Sequence, residues 1–94
     1  MKDFNVKFGI IGIDHRHVYT QAQFLIELGA ELVGWCTEGS PTTLGGFTKR
    51  FPKAKRVTDP RSLLEDQDIQ VILTSAIPSE RAKISISAME HGKD

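Results

Sequence analysis

The sequence is poor in the features that define several classes of protein. It contains a single cysteine, Cys36, and only 7% aromatic residues. One cysteine cannot form an internal disulfide, which excludes a disulfide-stapled domain and favours a reducing compartment, so we expect a cytoplasmic protein. The longest apolar runs, such as Val71–Leu73, are far shorter than the roughly 20 residues that a membrane-spanning helix needs. The first residues also lack the charged and apolar regions of a secretory signal.

An excess of charge of one sign is also missing. Twelve Lys and Arg residues balance twelve Asp and Glu residues, so the overall charge does not favour nucleic acid or an anionic membrane as a partner. Five cations do occur within residues 49–56, with one aromatic residue, Phe51, among them. We interpret this basic cluster as a solvated helix end, because cations are favourable at a helix C-terminus. We therefore predict no nucleic-acid partner and no membrane partner.

What the sequence does contain is an alternation of strand-like and helix-like apolar patterns. The predicted strands are residues 6–12, 31–36, 55–57 and 69–75. The predicted helices are residues 18–28, 40–51, 61–66 and 79–91. Strands that alternate with helices indicate right-handed crossovers and a parallel sheet. We therefore predict a Rossmann-type α/β fold, a parallel sheet with helices on both faces, which stops after the fourth strand–helix unit. Residues 1–94 would then be the dinucleotide-binding domain of a longer protein.

Two of the predicted helices allow more detailed expectations. For the second helix, Ser40 would be the N-cap and Pro41 would lie in the first turn. This helix should be weak, because Gly45 and Gly46 each cost roughly 1 kcal/mol relative to alanine. For the last helix, the apolar spacing predicts one buried face, formed by Ala82, Ile86 and Met89.

The turn after the first predicted strand is the first candidate site. A dinucleotide-binding G-x-G-x-x-G motif would place glycines at positions 12, 14 and 17, where this chain has Gly12, Asp14 and His17. The placement fits the motif, because the turn follows a strand and opens a helix whose N-terminal N–H groups favour a pyrophosphate. We therefore take as cofactor-binding candidates Gly12, Ile13, Asp14, His15 and His17.

Asp14 is the main departure from that motif. It adds bulk and negative charge where glycine would let the backbone approach the pyrophosphate closely. Arg16, His15 or His17 could offset this charge. In an alternative interpretation Asp14 caps the following helix, and the two roles do not exclude each other.

The end of the second predicted strand supplies the second candidate site. In dinucleotide-binding domains an acidic residue about 20 positions after the glycine turn binds the ribose 2′-hydroxyl of NAD. Here Glu38 follows Thr37 at this strand end, and we name both as cofactor-binding candidates. The alternative is that Glu38 is a solvated loop residue. Because no arginine adjoins the strand end to bind a 2′-phosphate, we expect NAD as the cofactor, with NADP as the alternative.

An ordered set of segments along nearly the whole chain resembles one known family. The segments are Gly9-Ile10-Ile11-Gly12, Glu31-Leu32-Val33-Gly34, Ser62-Leu63-Leu64, Asp68-Ile69-Gln70-Val71-Ile72 and Ala88-Met89-Glu90-His91-Gly92-Lys93. In order and spacing they are similar to the nucleotide-binding half of the glucose–fructose oxidoreductase / inositol dehydrogenase (Gfo/Idh/MocA) family. The resemblance implies a Rossmann domain followed by an α+β domain that carries much of the substrate site and a sheet interface for a homo-oligomer. It also implies an NAD(P)-dependent oxidoreductase that acts on a small polyhydroxylated substrate, a sugar or a cyclitol.

The segment after the fourth predicted strand departs from the family pattern. Family members usually have Thr-Pro-Asn there, with a histidine four residues past the proline, whereas this chain has Ala76-Ile77-Pro78-Ser79-Glu80-Arg81. The resemblance implies that Pro78 lies near the nicotinamide ribose. Arg81 replaces the histidine or lies on an exposed helix turn. The cofactor-binding candidates at this strand end are Ser75, Ala76, Pro78 and Arg81.

No catalytic residue is assigned within the 94 residues. The family's acidic-Lys-Pro motif would follow Asp94, so the resemblance does not make Lys93 the catalytic lysine. We found neither a general base with a partner nor a nucleophile, and Cys36 is expected to pack as a small apolar residue. The chain alone is therefore expected to be inactive.

Two interpretations from other classes remain. Asp14-His15-Arg16-His17 resembles the Asp-x-His-x-His strand end of metal-dependent amidohydrolases, although Asp14 adjoins His15 and the only other histidine is His91. We expect no metal. A non-catalytic nucleotide-binding or assembly module is the stronger alternative, because a Rossmann fold does not fix a function.

Overall fold

The structure, a computed structural model, describes residues 6–39 and 41–94 of the chain. The strands are β1 (Lys7–Ile11), β2 (Glu31–Cys36), β3 (Lys55–Arg56) and β4 (Val71–Leu73). The helices are α1 (His17–Glu27), α2 (Leu44–Arg50), α3 (Arg61–Leu64) and α4 (Pro78–Glu90). The strands form one sheet in the order β3-β2-β1-β4, and every neighbouring pair is parallel. The predicted Rossmann-type parallel sheet with helices on both faces is confirmed.

The core consists of two buried clusters, one on each face of the sheet. Successive strand residues point to opposite faces, so Ile10 and Trp35 pack in the cluster with α1 and α2, whereas Ile11 and Cys36 pack in the cluster with α3 and α4. In α1 the predicted apolar face is confirmed, with Val18 and Ala22 fully buried. This arrangement leaves the carboxyl ends of β1, β2 and β4 together at one edge of the sheet.

The second helix is shorter than predicted. It begins at Leu44, so the expectation that Pro41 lies in its first turn is wrong, and Ser40 lies outside the described residues. Seven residues containing a pair of glycines have little intrinsic helical stability. The helix is held by its buried Phe47, whose ring centroid lies 4.7 Å from that of Trp35 and 4.9 Å from that of Phe51.

The buried face of α4 differs from the predicted one. Ile86 and Met89 are 53% and 64% exposed, and Ala82 is exposed as well, so the predicted face is wrong. The helix instead packs through Ala88 and Ile84 against the cluster of α3 and α4. Apolar residues occur on both faces of this helix, and the face with Ala88 and Ile84 is the one that packs.

The basic cluster of residues 49–56 lies on the surface, and both of its arginines contact aromatic rings of the chain itself. The Arg50 guanidinium carbon lies 4.1 Å from the centroid of the Tyr19 ring, and that of Arg56 lies 5.4 Å from that of Trp35. Such contacts are favourable cation–π pairs. Among the helices of the described residues, none combines the length and apolarity needed to cross a bilayer.

Candidate functional site

The loop between β1 and α1, residues 12–16, is the centre of the site and is called the first loop below. Gly12 adopts a φ of 87°, a backbone conformation that favours glycine. A Cβ atom at Gly12 would lie 2.6 Å from the Cβ atom of Ala76, so the loop and the end of β4 touch at this point. The N–H of Gly12 donates to the carbonyl oxygen of Cys36 at 2.8 Å, which ties the loop to β2 as well.

Ser75 fixes the first loop from the side of β4. Its N–H donates to the carbonyl of Gly12 at 3.0 Å, and its carbonyl accepts the N–H of His15 at 2.9 Å. Its hydroxyl also donates to the carbonyl of His15 at 3.1 Å. Ser75 is buried, so these bonds are shielded from water. Ser75 does not line the main cleft described below, so its predicted contact with the cofactor stays a prediction.

Thr43 also fixes the first loop, and it is not among the residues predicted from the sequence. Its hydroxyl donates to the carbonyl of Ile13, and its own carbonyl accepts the hydroxyl of Tyr19 at 2.7 Å. Thr43 is 3% exposed, which is unusual for a polar residue outside a strand. In the sequence Thr43 falls within the predicted second helix, residues 40–51, so its position gave no sign of a contact with the distant first loop.

Five predicted residues line one cleft at the carboxyl edge of the sheet, called the main cleft below. Its volume is about 260 Å³, and it is open to solvent on one side. The predicted residues that line it are Gly12, Asp14, Thr37, Glu38 and Ala76. The walls are completed by apolar groups of α3 and α4, including Leu64 and Ile84, together with Pro60. In open α/β sheets this edge is where ligands bind.

The charges around the main cleft are mainly negative. Asp14, Glu38 and Glu80 line it, and Lys83 is the only cation that residues 6–39 and 41–94 contribute to its lining. The Lys83 ammonium lies 3.6 Å from a carboxylate oxygen of Glu80, so part of its charge is already paired. A further anionic group would be disfavoured beside the two remaining carboxylates.

The end of β2 contributes two buried groups to the main cleft. The Thr37 hydroxyl is shielded from water and has no hydrogen-bond partner within residues 6–39 and 41–94. An unpaired buried hydroxyl is costly, and a ligand group that bonded to it would remove that cost. Burial raises the pKa of the Cys36 thiol to about 11, with smaller contributions in the same direction from Asp59 and Glu38 and an opposing one from Arg56. Cys36 is therefore a protonated, packed thiol and not a nucleophile.

The remaining predicted residues lie away from the main cleft. The Ile13 side chain is fully buried in the core, so only its backbone is available. His15 and His17 line a separate groove beside α1, together with Tyr19 and Arg50. The ring centroids of the two histidines are 4.1 Å apart. This groove is called the histidine groove below. It lies on the face of the sheet that carries α1 and α2.

Pro78 and Arg81 are also outside the main cleft. Both line a shallow surface pocket at the start of α4. The Arg81 side chain donates through Nε to the carbonyl of Ala76 at 3.0 Å, so it supports the loop after β4. Arg81 lies on an exposed helix turn, one of the two interpretations that the sequence left open.

The suggestion that Asp14 caps α1 is wrong. The helix begins at His17 with Arg16 as its N-cap, and no side-chain cap hydrogen bond is formed. The His15 ring nitrogen Nδ1 instead accepts the N–H of His17 at 3.3 Å. The Asp14 carboxylate is exposed beside the main cleft.

Among the described residues, no group of three or more His, Cys, Asp or Glu side chains is placed to hold a metal ion.

Lys93 is buried, and its ammonium donates to the carbonyls of Asp66 and Ile69 at 2.7 and 2.6 Å. It therefore anchors the segment that leads into β4.

Comparison with solved structures shows the same fold in several oxidoreductases. One, from Erwinia carotovora atroseptica SCRI1043, is named only as an oxidoreductase; it is 33% identical, with a TM-score of 0.89 over 96% of this chain and 27% of its own. Biliverdin reductase from Synechocystis sp. PCC 6803, in complex with biliverdin and NADP+, is 21% identical, with a TM-score of 0.76 over 94% of this chain and 27% of its own. The myo-inositol dehydrogenase from Lactobacillus casei, in complex with NAD(H) and myo-inositol, is 23% identical, with a TM-score of 0.76 over 96% of this chain and 27% of its own.

The chain thus spans about a quarter of the length of these solved proteins. No protein-family profile matches it, and no curated protein matches it in sequence.

Proposed function

We propose that this chain is the dinucleotide-binding domain of an NAD-dependent oxidoreductase of the Gfo/Idh/MocA type. The observation that carries the proposal is the meeting of two candidate segments in one cleft. The first loop and the end of β2 are separated in sequence, yet Gly12, Asp14, Thr37 and Glu38 all line the main cleft. Fold likeness to oxidoreductases adds support, and the 33% identical protein is the strongest part of it.

The first loop would bind the pyrophosphate of the dinucleotide. Gly12 lets the loop pass directly over Ala76, which a side chain at position 12 would prevent. The N-terminus of α1 follows the loop and favours negative charge. Asp14 opposes this, because its carboxylate carries the same sign as the phosphates, so the affinity would be lower than with glycine at this position. His15 and His17 stay predicted cofactor-binding residues, although they line the histidine groove.

The end of β2 would bind the adenosine ribose. The Glu38 carboxylate would accept hydrogen bonds from the ribose hydroxyls, and the unpaired Thr37 hydroxyl lies next to it in sequence. The carboxylates of Asp14 and Glu38 disfavour a 2′-phosphate, which supports NAD over NADP. The apolar wall that includes Leu64 and Ile84 would pack against the adenine.

When bound, the nicotinamide cofactor would supply the hydride chemistry, and this chain would orient it. The end of β4 would face the nicotinamide side, with the predicted residues Ser75, Ala76, Pro78 and Arg81. Of these, Ala76 alone lines the main cleft, so Pro78 and Arg81 stay predictions that depend on how the cofactor extends beyond it. The domain alone is expected to have no activity.

The substrate and the second domain are parts of the same proposal. A chain that covers about 27% of its structural neighbours leaves room in the full protein for a substrate-binding α+β domain and for an oligomer formed through it. A sugar- or cyclitol-like hydroxyl compound is the proposed substrate class, and one neighbour, the myo-inositol dehydrogenase, supports it. The proposed cytoplasmic location rests only on the single cysteine of the chain, which favours a reducing compartment.

A calorimetric titration with NADH and then NADPH tests the proposal, with folding checked by circular dichroism. We expect saturable binding of NADH and at least about tenfold weaker binding of NADPH. Glu38→Gln should reduce that preference, whereas Glu90→Gln, an exposed glutamate at the end of α4, should leave it unchanged. A folded chain that binds neither nucleotide would contradict the proposal and favour the assembly module.

A further inference from the structure

We infer that Thr43 is a positioning residue that orients the peptide between Ile13 and Asp14 toward the diphosphate of a bound dinucleotide. The inference rests on the proposed function. It concerns a residue that lies outside the main cleft and acts on the ligand only through the first loop.

The hydrogen bonding of Thr43 shows what its hydroxyl does. Thr43 is the N-cap residue of α2, yet it forms no side-chain cap hydrogen bond with that helix. Its hydroxyl instead donates to the carbonyl of Ile13 in the first loop. Because α2 is short and contains two adjacent glycines, a local cap would be valuable to it. The hydroxyl therefore supports the loop at the expense of its own helix.

The geometry of the peptide bond gives this contact a consequence for binding. The described residues contain no cis peptide bond, so in each peptide the C=O and the next N–H point in opposite directions. Thr43 holds the Ile13 carbonyl toward the face with α1 and α2. The N–H of Asp14 must then point away from Thr43, and Asp14 lines the main cleft on the other side. Without this bond the peptide could rotate and present a carbonyl oxygen to the phosphates, which would repel them.

The neighbouring peptide is held in the same manner from β4. The N–H of Ser75 donates to the carbonyl of Gly12 at 3.0 Å. The N–H of Ile13 therefore points away from Ser75 by the same argument. Two successive carbonyls of the first loop are thus bound by protein groups, which fixes the direction of the N–H group that follows each of them.

Thr43 is itself braced by the helix that follows the loop. The Tyr19 hydroxyl donates to the Thr43 carbonyl at 2.7 Å, and the Arg50 guanidinium lies over the Tyr19 ring. Gly46 leaves the space that the Tyr19 hydroxyl occupies, since a Cβ atom there would lie 2.6 Å from it. The position of Thr43 is thus set by contacts with α1 and α2 and does not depend on a ligand.

The test compares ADP-ribose, which contains the diphosphate, with adenosine, which lacks it, in NMR titrations of the ¹⁵N-labelled chain. Thr43→Val removes the hydroxyl and keeps the shape, and Thr43→Ser keeps the hydroxyl. Thr48→Val is the matched control, because Thr48 is an exposed residue of α2 whose hydroxyl bonds only to its own helix at Leu44.

We expect Thr43→Val to weaken ADP-ribose binding about tenfold or more. Without the Thr43 hydroxyl, the N–H of Asp14 would no longer be held toward the diphosphate, and its hydrogen bond to that charged group would be lost. Adenosine binding should change less than about twofold, since the end of β2 is untouched. Thr43→Ser should restore ADP-ribose binding, and Thr48→Val should not affect it. Equal losses for both ligands would show a merely structural role and overturn the inference, as would no loss for either.

Two further outcomes are informative. If Thr43→Val does not fold, Tyr19→Phe removes the brace and should weaken ADP-ribose binding alone, and an unchanged affinity would overturn the inference. If the wild-type chain binds adenosine but not ADP-ribose, or binds neither, the proposed function itself fails and the inference fails with it.

Discussion

Gly12 and Ala76 lie so close at the carboxyl edge of the sheet that a Cβ atom on Gly12 would be 2.6 Å from the Cβ atom of Ala76. Real Cβ atoms essentially never approach so closely, and the φ of 87° at Gly12 is also unfavourable for other residues. The contact joins the turn after β1 to the end of β4, and it closes one end of the main cleft.

Gly12→Ala should therefore destabilise the chain and weaken dinucleotide binding. Gly39→Ala is the matched control, because Gly39 has a similar positive φ of 66° but nothing within 4 Å of its Cβ position. The two variants share the backbone strain, and only Gly12→Ala adds the collision. We expect a free energy of unfolding lower by roughly 1–3 kcal/mol for Gly12→Ala than for Gly39→Ala, measured by urea denaturation. Equal losses would mean that the contact with Ala76 relaxes without cost.

Asp14→Gly should strengthen dinucleotide binding. The substitution removes a carboxylate of the same charge as the phosphates and restores the glycine of the G-x-G-x-x-G motif. Asp14→Asn separates the two effects, because it removes the charge and keeps the bulk. The dissociation constants for NADH can be compared by calorimetry at low and high salt. Unchanged or weaker binding by Asp14→Gly would contradict the role assigned to this position.

Cys36 should resist alkylation and should make the stability pH-dependent above neutrality. Its pKa is raised to about 11 from the ordinary value of 9.0, mainly by burial. Between these two values the unfolded chain loses the thiol proton that the folded chain retains, so stability falls as pH rises. Urea denaturation at pH 8 and pH 10 should show this loss, and Cys36→Ala should reduce it. An iodoacetamide reaction as fast as that of a free cysteine at pH 8.5 would contradict the assignment.

Substitutions of the two isoleucines of α4, Ile84 and Ile86, test which face of this helix is packed. Ile84 packs against the cluster of α3 and α4, whereas Ile86 is 53% exposed. Ile84→Ala should lower the free energy of unfolding by about 1–3 kcal/mol, because Ile84 is only partly buried. Ile86→Ala should change it by less than about 0.5 kcal/mol. The reverse order would indicate that the face predicted from the sequence is the packed one.

The sequence predicted β2 well because this strand carries a short, dense apolar run, whereas the predicted fourth strand, residues 69–75, forms a strand only over Val71–Leu73. The predicted β2, residues 31–36, coincides with the observed Glu31–Cys36, where Trp35 and Cys36 pack on opposite faces. The face of α4 was not predictable in the same way. Its apolar residues occur on two sides, so apolar spacing alone does not show which side packs.

The lining of the main cleft was predictable where a residue lies near its own strand end, and contacts made across the fold were not. Gly12, Thr37 and Glu38 were found from the glycine turn and its distance to the end of β2, and all three line the main cleft. Thr43 could not be found, because its contact with Ile13 exists only after α2 packs beside the first loop. His15 lies in the first loop and His17 is the first residue of α1, but both line the histidine groove instead of the main cleft.

The most direct test of the central claim is a titration of the ¹⁵N-labelled chain with NADH, followed residue by residue by NMR. The account predicts saturable shifts of the backbone amides that border the main cleft, at Asp14, Thr37, Glu38 and Ala76. The amides of Phe51 and His91, which lie elsewhere, should not move. Shifts confined to the histidine groove, or no saturable shift in a folded chain, would contradict the claim that the main cleft is a dinucleotide-binding site.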